Sequence, residues 1–147
     1  MFVLPEKREK DNWGEGHFGA SRGARKHKGQ DFYQPPGRIV YCSIPGKVTK
    51  IGYPYADDLS FRYVQITDSD GNRQRYFYVE PFVGNCRSVV LGQRLAKGDQ
   101  IGVVQDLTGR YNTPERGPIP NHFHFEVISP DGEYIDPINY LIEYDFS

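Results

Sequence analysis

The chain has 147 residues, with 18 basic and 19 acidic side chains and a formal net charge of −1. That length suits one domain with its own core; the even, dispersed charge excludes a nucleic-acid binder of the basic-stripe kind, and no segment is long and apolar enough to span a membrane. Cys42 and Cys86 are too few for a disulfide framework, and their neighbours are not those of a zinc site, so both read as structural, with their pairing left open.

Residues 1–13 read as a polar arm. Met1 to Leu4 is apolar, but Glu6 to Asp11 is charged, which leaves no apolar stretch of signal-peptide length and predicts a product made in the cytoplasm without an export signal. Gly14 to Lys28 reads as an irregular loop, and its basic run of Arg22, Arg25, Lys26 and Lys28 as a solvated one. Pro35-Pro36-Gly37 predicts a turn before a strand through Ile39, Val40 and Tyr41, and Pro45-Gly46 predicts another before Lys47 to Ile51, which alternates with period two. Phe61 to Thr67 is rich in aromatic and β-branched residues, Asp68 to Asn72 signals a hairpin, and Arg73 to Phe82 reads as the return strand. Gly92 and Gly98 punctuate the approach to a strand at Ile101 to Gln105. Leu107 to Asn121 reads as a long polar loop, His122 to Ile128 as a strand, Pro130-Asp131-Gly132 as a turn, and Pro137 as the start of a short helix through Leu141. Residues 14–147 therefore read as a single all-β domain, a compact set of antiparallel sheets with little helix.

The segment Asn121-His122-Phe123-His124-Phe125-Glu126-Val127 carries the chemistry. Alternate residues of a strand share a face, so His122, His124 and Glu126 point one way while Phe123, Phe125 and Val127 point into a core. Upstream, His27-Lys28-Gly29-Gln30-Asp31 supplies one further imidazole and a carboxylate. Two imidazoles and one carboxylate, His27, His124 and Asp31, form a catalytic zinc set that leaves a position for water. Glu126 reads as a hydrogen-bond partner of a zinc-bound histidine. Asp57, Asp58 and the Asp68 to Asp70 turn lack the spacing of a calcium loop and read as loop carboxylates.

H-x-x-x-D upstream and H-x-H-F-E downstream resemble the signature pair of the lysostaphin- and LytM-type peptidoglycan endopeptidases. The resemblance runs from about Phe18 to Leu141 and takes in the turns Gly37 to Gly46, the glycine ladder Val90 to Gly102, and the close Asp136-Pro137 with Tyr140-Leu141. It implies a compact antiparallel β domain of the duplicated hybrid motif kind and one Zn2+ ion held by His27, Asp31 and His124. It further implies that His122 is the histidine that moves the proton and that a peptidoglycan peptide is the substrate. Zinc would lower the pKa of its water and polarise the scissile carbonyl.

One position departs from the pattern. The active enzymes carry a further histidine in Tyr-x-His-Leu, where this chain has Tyr76-Phe77-Tyr78-Val79, so Tyr78 stands in the histidine position. The same loss marks leukocyte cell-derived chemotaxin 2, which resembles the family, keeps the zinc ligands and is regarded as non-catalytic. Tyr78 can donate one hydrogen bond but brings no positive charge. The resemblance thus leaves two expectations: a zinc endopeptidase cutting cell-wall cross-links with Tyr78 as helper, or a weak or inactive zinc-stabilised module. The missing export signal points to a bacteriophage lysis or tail-associated virion protein, with other phage structural proteins as partners. His17, just before Phe18-Gly19, is a further candidate to fold over the groove, against its plainer reading as an exposed loop residue.

Overall fold

The computed structural model describes residues 5–22 and 25–146. The strands that build its two main sheets are, in chain order, Gln30–Tyr33 (β1), Ile39–Tyr41 (β2), Gly46–Gly52 (β3), Tyr63–Thr67 (β4), Arg73–Phe77 (β5), Val79–Glu80 (β6), Arg94–Leu95 (β7), Gln100–Val104 (β8), His122–Ile128 (β9) and Tyr134–Ile135 (β10), followed by one helix, Pro137–Phe146 (α1). The larger sheet runs β7-β3-β4-β5-β9-β10 with β1 also on β9, and the smaller runs β6-β8-β2. All these pairings are antiparallel. The all-β, antiparallel expectation holds.

Strand β9 is the keystone. Along one edge, His124 to Ile128 pair with β5; along the other, His122 to Phe125 pair with β1, and Val127 and Ile128 with β10. Its period-two pattern sends Phe123, Phe125 and Val127 into the core, where Phe125 packs on Tyr76 with ring centroids 4.8 Å apart and Phe123 stacks on Phe32 at 5.3 Å. Val40, Val79, Ile101 and Val104 of the smaller sheet fill the same core from the opposite side. Each fully buried side chain of this size contributes about 1.5–3 kcal/mol. Gln74, a polar intrusion beside Tyr76, is satisfied: the Tyr76 hydroxyl donates to Gln74 Oε1 and accepts from the Ser43 N–H, and Gln74 Nε2 donates to the Ile44 carbonyl.

The expected strand from Arg73 to Phe82 is broken. Tyr78 has φ 65°, a left-handed conformation that a bulky residue rarely adopts. The kink ends β5 in the larger sheet and starts β6 in the smaller one, and Pro81 then interrupts the run again. The hairpin at Asp68 forms as expected, with Asp68 Oδ1 accepting from the N–H groups of Asp70 and Asn72. Helix α1 runs five residues beyond the expected Leu141. Asp136 Oδ1 caps it by accepting from Ile138 N, and Tyr140 and Leu141 close the core.

The polar arm expected over residues 1–13 is strapped to the domain where it is described. Tyr33 N donates to the Glu6 carbonyl at 2.7 Å and Arg8 N to the Asp31 carbonyl at 2.8 Å, so this segment lies along β1. Residues Lys10–Asp11 and Gly14–Glu15 then form a two-stranded ribbon. Residues 1–4 lie outside the described chain, as do Gly23 and Ala24 of the basic run. The loop from Leu107 to Asn121 contains a small ribbon of its own, Asn112–Thr113 with Gly117–Pro118.

Candidate metal centre

Register brings the site together. In the β1–β9 pairing Asp31 lies opposite His124, and on the same face of β9 lie His122 and Glu126. His27 reaches the same point because the chain passes close over His124 at Gly29, where any Cβ would run into the Phe125 carbonyl and the His124 imidazole. Only glycine permits that approach.

Three atoms converge: His27 Nε2 lies 2.9 Å from His124 Nδ1, His124 Nδ1 2.8 Å from Asp31 Oδ1, and His27 Nε2 3.2 Å from Asp31 Oδ1. Their partners set the protons. His27 Nδ1–H donates to the His17 carbonyl at 2.9 Å, and His124 Nε2–H to Glu126 Oε1 at 3.0 Å. The atoms left facing one another carry lone pairs that are held together by a cation between them, a proton while no metal is bound or a metal ion in its place. Tetrahedral zinc with bonds of about 2.0–2.2 Å sets its ligand atoms roughly 3.3 Å apart, so these residues need move only a few tenths of an ångström to hold one. Among the described residues, His27, Asp31 and His124 are the one group of three such side chains close enough together that they could hold a metal ion.

The electrostatics agree with a cation at this point. Burial alone would raise the Asp31 carboxyl, but hydrogen bonds from His124 and His27 hold it well below the usual carboxylate range. Burial alone would lower His124, yet Asp31 and Glu126 lift its imidazole to about 9. Arg8 reaches in from the N-terminal strap. Its Nη1 donates to Asp31 Oδ2 at 2.8 Å while Nε and Nη2 grip Asp11 at 2.7 and 2.9 Å. Asp31 therefore presents Oδ1 alone to the triangle.

His122 stands beside it. Its Nδ1–H donates to the Pro120 carbonyl at 2.9 Å, and its Nε2 lies 3.5 Å from Asp31 Oδ2. Burial pushes its imidazole below the ordinary range, so it is neutral and can accept a proton at Nε2. The Tyr78 ring meets His122 edge-on at 5.9 Å. The Tyr78 hydroxyl is 2.9 Å from that of Tyr55, which is hydrogen-bonded in turn to Tyr111, and burial raises the Tyr78 phenol well above its ordinary value. All these groups line one cleft of about 640 Å³.

Thus His27, Asp31, His124, His122 and Tyr78 lie in one neighbourhood. The His17 imidazole does not join them: it is half-exposed, 3.5 Å from Glu15, and only its carbonyl serves the site. Asp57 and Asp58 face Arg110. Cys42 and Cys86 are both free thiols, and burial pushes Cys42 up to about 12. Sequence reasoning missed Arg8 and Trp13. No local pattern marks them, because their partners Asp31 and the Gly117 carbonyl are 23 and 104 residues away.

The sequence pattern of Peptidase family M23 matches residues 25–137. An uncharacterized protein of Mycobacterium tuberculosis is 32% identical over 138 residues, covering 94% of this chain, which spans 29% of that protein's length. Among solved structures, the antimicrobial peptidase lysostaphin from Staphylococcus simulans superposes with a TM-score of 0.66 at 20% identity over 95% of this chain and 50% of its own. A zinc containing peptidase from Vibrio cholerae does so at 0.61 with 24% identity, over 90% of this chain and 37% of its own.

Proposed function

The chain belongs to peptidase family M23, and from that premise we propose that it is a zinc-dependent endopeptidase acting on the peptide cross-links of peptidoglycan. The observation that carries the reading is the convergence of His27 Nε2, His124 Nδ1 and Asp31 Oδ1 from a loop and two paired strands. In this proposal those three atoms hold one Zn2+ ion. Arg8 aims the Asp31 carboxylate, while Glu126 and the His17 carbonyl fix the two imidazole tautomers. Zinc, when bound, acidifies a coordinated water and polarises the scissile carbonyl.

His122 is the proton carrier. The Pro120 carbonyl holds its Nδ1–H, so its free Nε2 takes the proton of the attacking water and returns it to the leaving amine. On the sequence reading Tyr78 takes the place of a histidine, and in this proposal it offers a hydroxyl for the developing charge on the carbonyl oxygen. It can donate there while accepting from Tyr55; where Tyr78 is instead the donor to Tyr55 its hydrogen is already engaged, and that arrangement favours a second reading, a slow or inactive zinc-stabilised module that binds murein. The bacteriophage setting is part of the same proposal and is carried by the sequence reading alone. Finding the chain by mass spectrometry in purified virions supports its tail-associated version; its absence from them counts against it.

The deciding experiment is metal analysis of purified protein together with incubation on peptidoglycan. One zinc per chain and chelator-sensitive release of new amino groups, abolished by His122→Ala, support the enzyme. Stoichiometric zinc without hydrolysis supports the module, and protein that binds no zinc refutes both.

A further inference from the structure

The cleft has two chemically different ends, and β9 sets its axis. His122, His124 and Glu126 alternate along one face of β9, so their Cα atoms span about 13 Å, the length of some four residues of extended peptide. At the His122 end the walls are aromatic. Tyr55 stacks on Tyr78 at 6.2 Å, Trp13 meets Tyr111 edge-on at 5.8 Å, and Leu107 and Ile119 pack behind them. Of the cations at this end, Arg110 lies over the Tyr55 ring at 3.7 Å and is paired with Asp57 and Asp58, while Arg116 lies against the aromatic wall over Trp13 at 5.2 Å.

At the Glu126 end the walls are cationic. Arg75 is the cross-strand partner of Glu126, and Lys28 lies over the Tyr134 ring with its Nζ 4.8 Å from the centroid. Arg75 Nε donates to the neutral Gln65 Oε1 at 2.8 Å. Neither Arg75 nor Lys28 has a carboxylate ion-pair partner among the described residues. Glu126 is turned to His124 through Oε1, and its Oε2 is buried without a partner. The imbalance is local: 6 of the chain's 18 basic residues line this cleft against 2 of its 19 acidic ones, in a chain of net charge −1. Both of those acids, Asp31 and Glu126, already bind imidazoles.

We propose that the cleft selects an extended peptide with a free carboxylate on one side of the scissile bond, received by Lys28 and Arg75, and an apolar residue on the other, received by the wall of Tyr78, Tyr55, Tyr111 and Trp13. The proposal rests on the peptidase reading and narrows its substrate class to anionic peptides. Low-dielectric walls of one sign concentrate field in a cleft and raise the local concentration of the opposite charge.

The test uses muropeptide dimers released from peptidoglycan by a muramidase, and the same dimers with their carboxylates converted to carboxamides. Hydrolysis is read as KM and kcat, and binding by calorimetry on zinc-loaded His122→Ala protein. The expected result is a KM and a Kd about 10-fold lower for the carboxylate form at low salt, shrinking toward equality at 0.5 M salt. That preference should collapse in the Lys28→Gln, Arg75→Gln double variant. Partially amidated dimers should locate the preference on one side of the cut bond by mass spectrometry of the products. Equal KM and Kd for both forms, or a preference that survives the double variant, overturns the proposal while leaving the peptidase reading intact. Binding that discriminates without any hydrolysis supports the anionic-ligand assignment and sinks the enzyme. Neither binding nor cleavage sinks both.

Discussion

Asp31 serves two neighbours with its two oxygens: Oδ1 faces the imidazoles, and Oδ2 is held by Arg8. The Arg8 guanidinium is 3% exposed and bridges Asp31 to Asp11. Removing one partner of a buried pair strands the other charge, at a cost of about 3–5 kcal/mol. Arg8→Ala should therefore lower unfolding free energy by about that amount in a denaturant titration. It should also weaken zinc binding about 10- to 100-fold in a chelator competition. Unchanged zinc affinity would show that the guanidinium only braces the fold. Tyr78 offers the complementary test. Its φ of 65° suits histidine at least as well as tyrosine, so Tyr78→His should fold normally. If the position is the one the family pattern fills with histidine, hydrolysis of peptidoglycan should rise by about 10-fold or more. A rate no higher than that of the parent chain would dissociate Tyr78 from the chemistry.

At the scale of elements, β1 and the strap that precedes it act as one unit over the site. Gly29→Ala should push β1 away from β9, because the added methyl meets the Phe125 carbonyl and the His124 ring. Overpacking of this kind costs about 1–3 kcal/mol, and here it should also lower zinc content measured by metal analysis. The strap itself has an acid latch. Burial would raise the Asp11 carboxyl, but hydrogen bonds from Arg8, Trp13 N–H and the Tyr33 hydroxyl lower it. A carboxylate with a depressed folded pKa stabilises above its unfolded value of about 3.9 and loses that contribution as pH falls through the folded one. Trp13 is the chain's single tryptophan and packs on Tyr111, so its fluorescence should report release of the strap below about pH 4. In Asp11→Asn the signal should already be that of a loosened strap at neutral pH. A parent-like signal at pH 7 in that variant would remove Asp11 as the latch.

On the scale of the molecule, the two sheets share a core that β9 anchors from one face while its other face carries the site. Phe125→Ala should cost about 3–5 kcal/mol, through loss of contact with Tyr76. It should impair zinc binding as well, since His124 and Phe125 are pinned by the same pairing to β1. A ligand that binds only the folded chain stabilises it by mass action. Saturating zinc should raise the thermal midpoint of the parent protein and leave that of His124→Ala unmoved. Equal shifts in both proteins would mean that zinc acts elsewhere.

Local signals in the sequence determined a good deal of this protein. Alternation in His122 to Ile128 set which side chains face the core, turn residues set the start of β3 at Pro45-Gly46 and the β4–β5 hairpin at Asp68 to Asn72, and the spacing of His27, Asp31, His122 and His124 named the cluster. These are legible because strand period and turn chemistry act over a few residues. Tertiary structure alone decided that the run from Arg73 to Phe82 breaks at Tyr78, since the kink comes from the strand leaving one sheet for another. It alone decided that a polar arm closes over β1 with Arg8 on Asp31, that His17 contributes a carbonyl in place of a ring, and that the cleft is aromatic at one end and cationic at the other. Each of those outcomes depends on partners far apart in the chain, and pairings of that kind leave no trace in local composition.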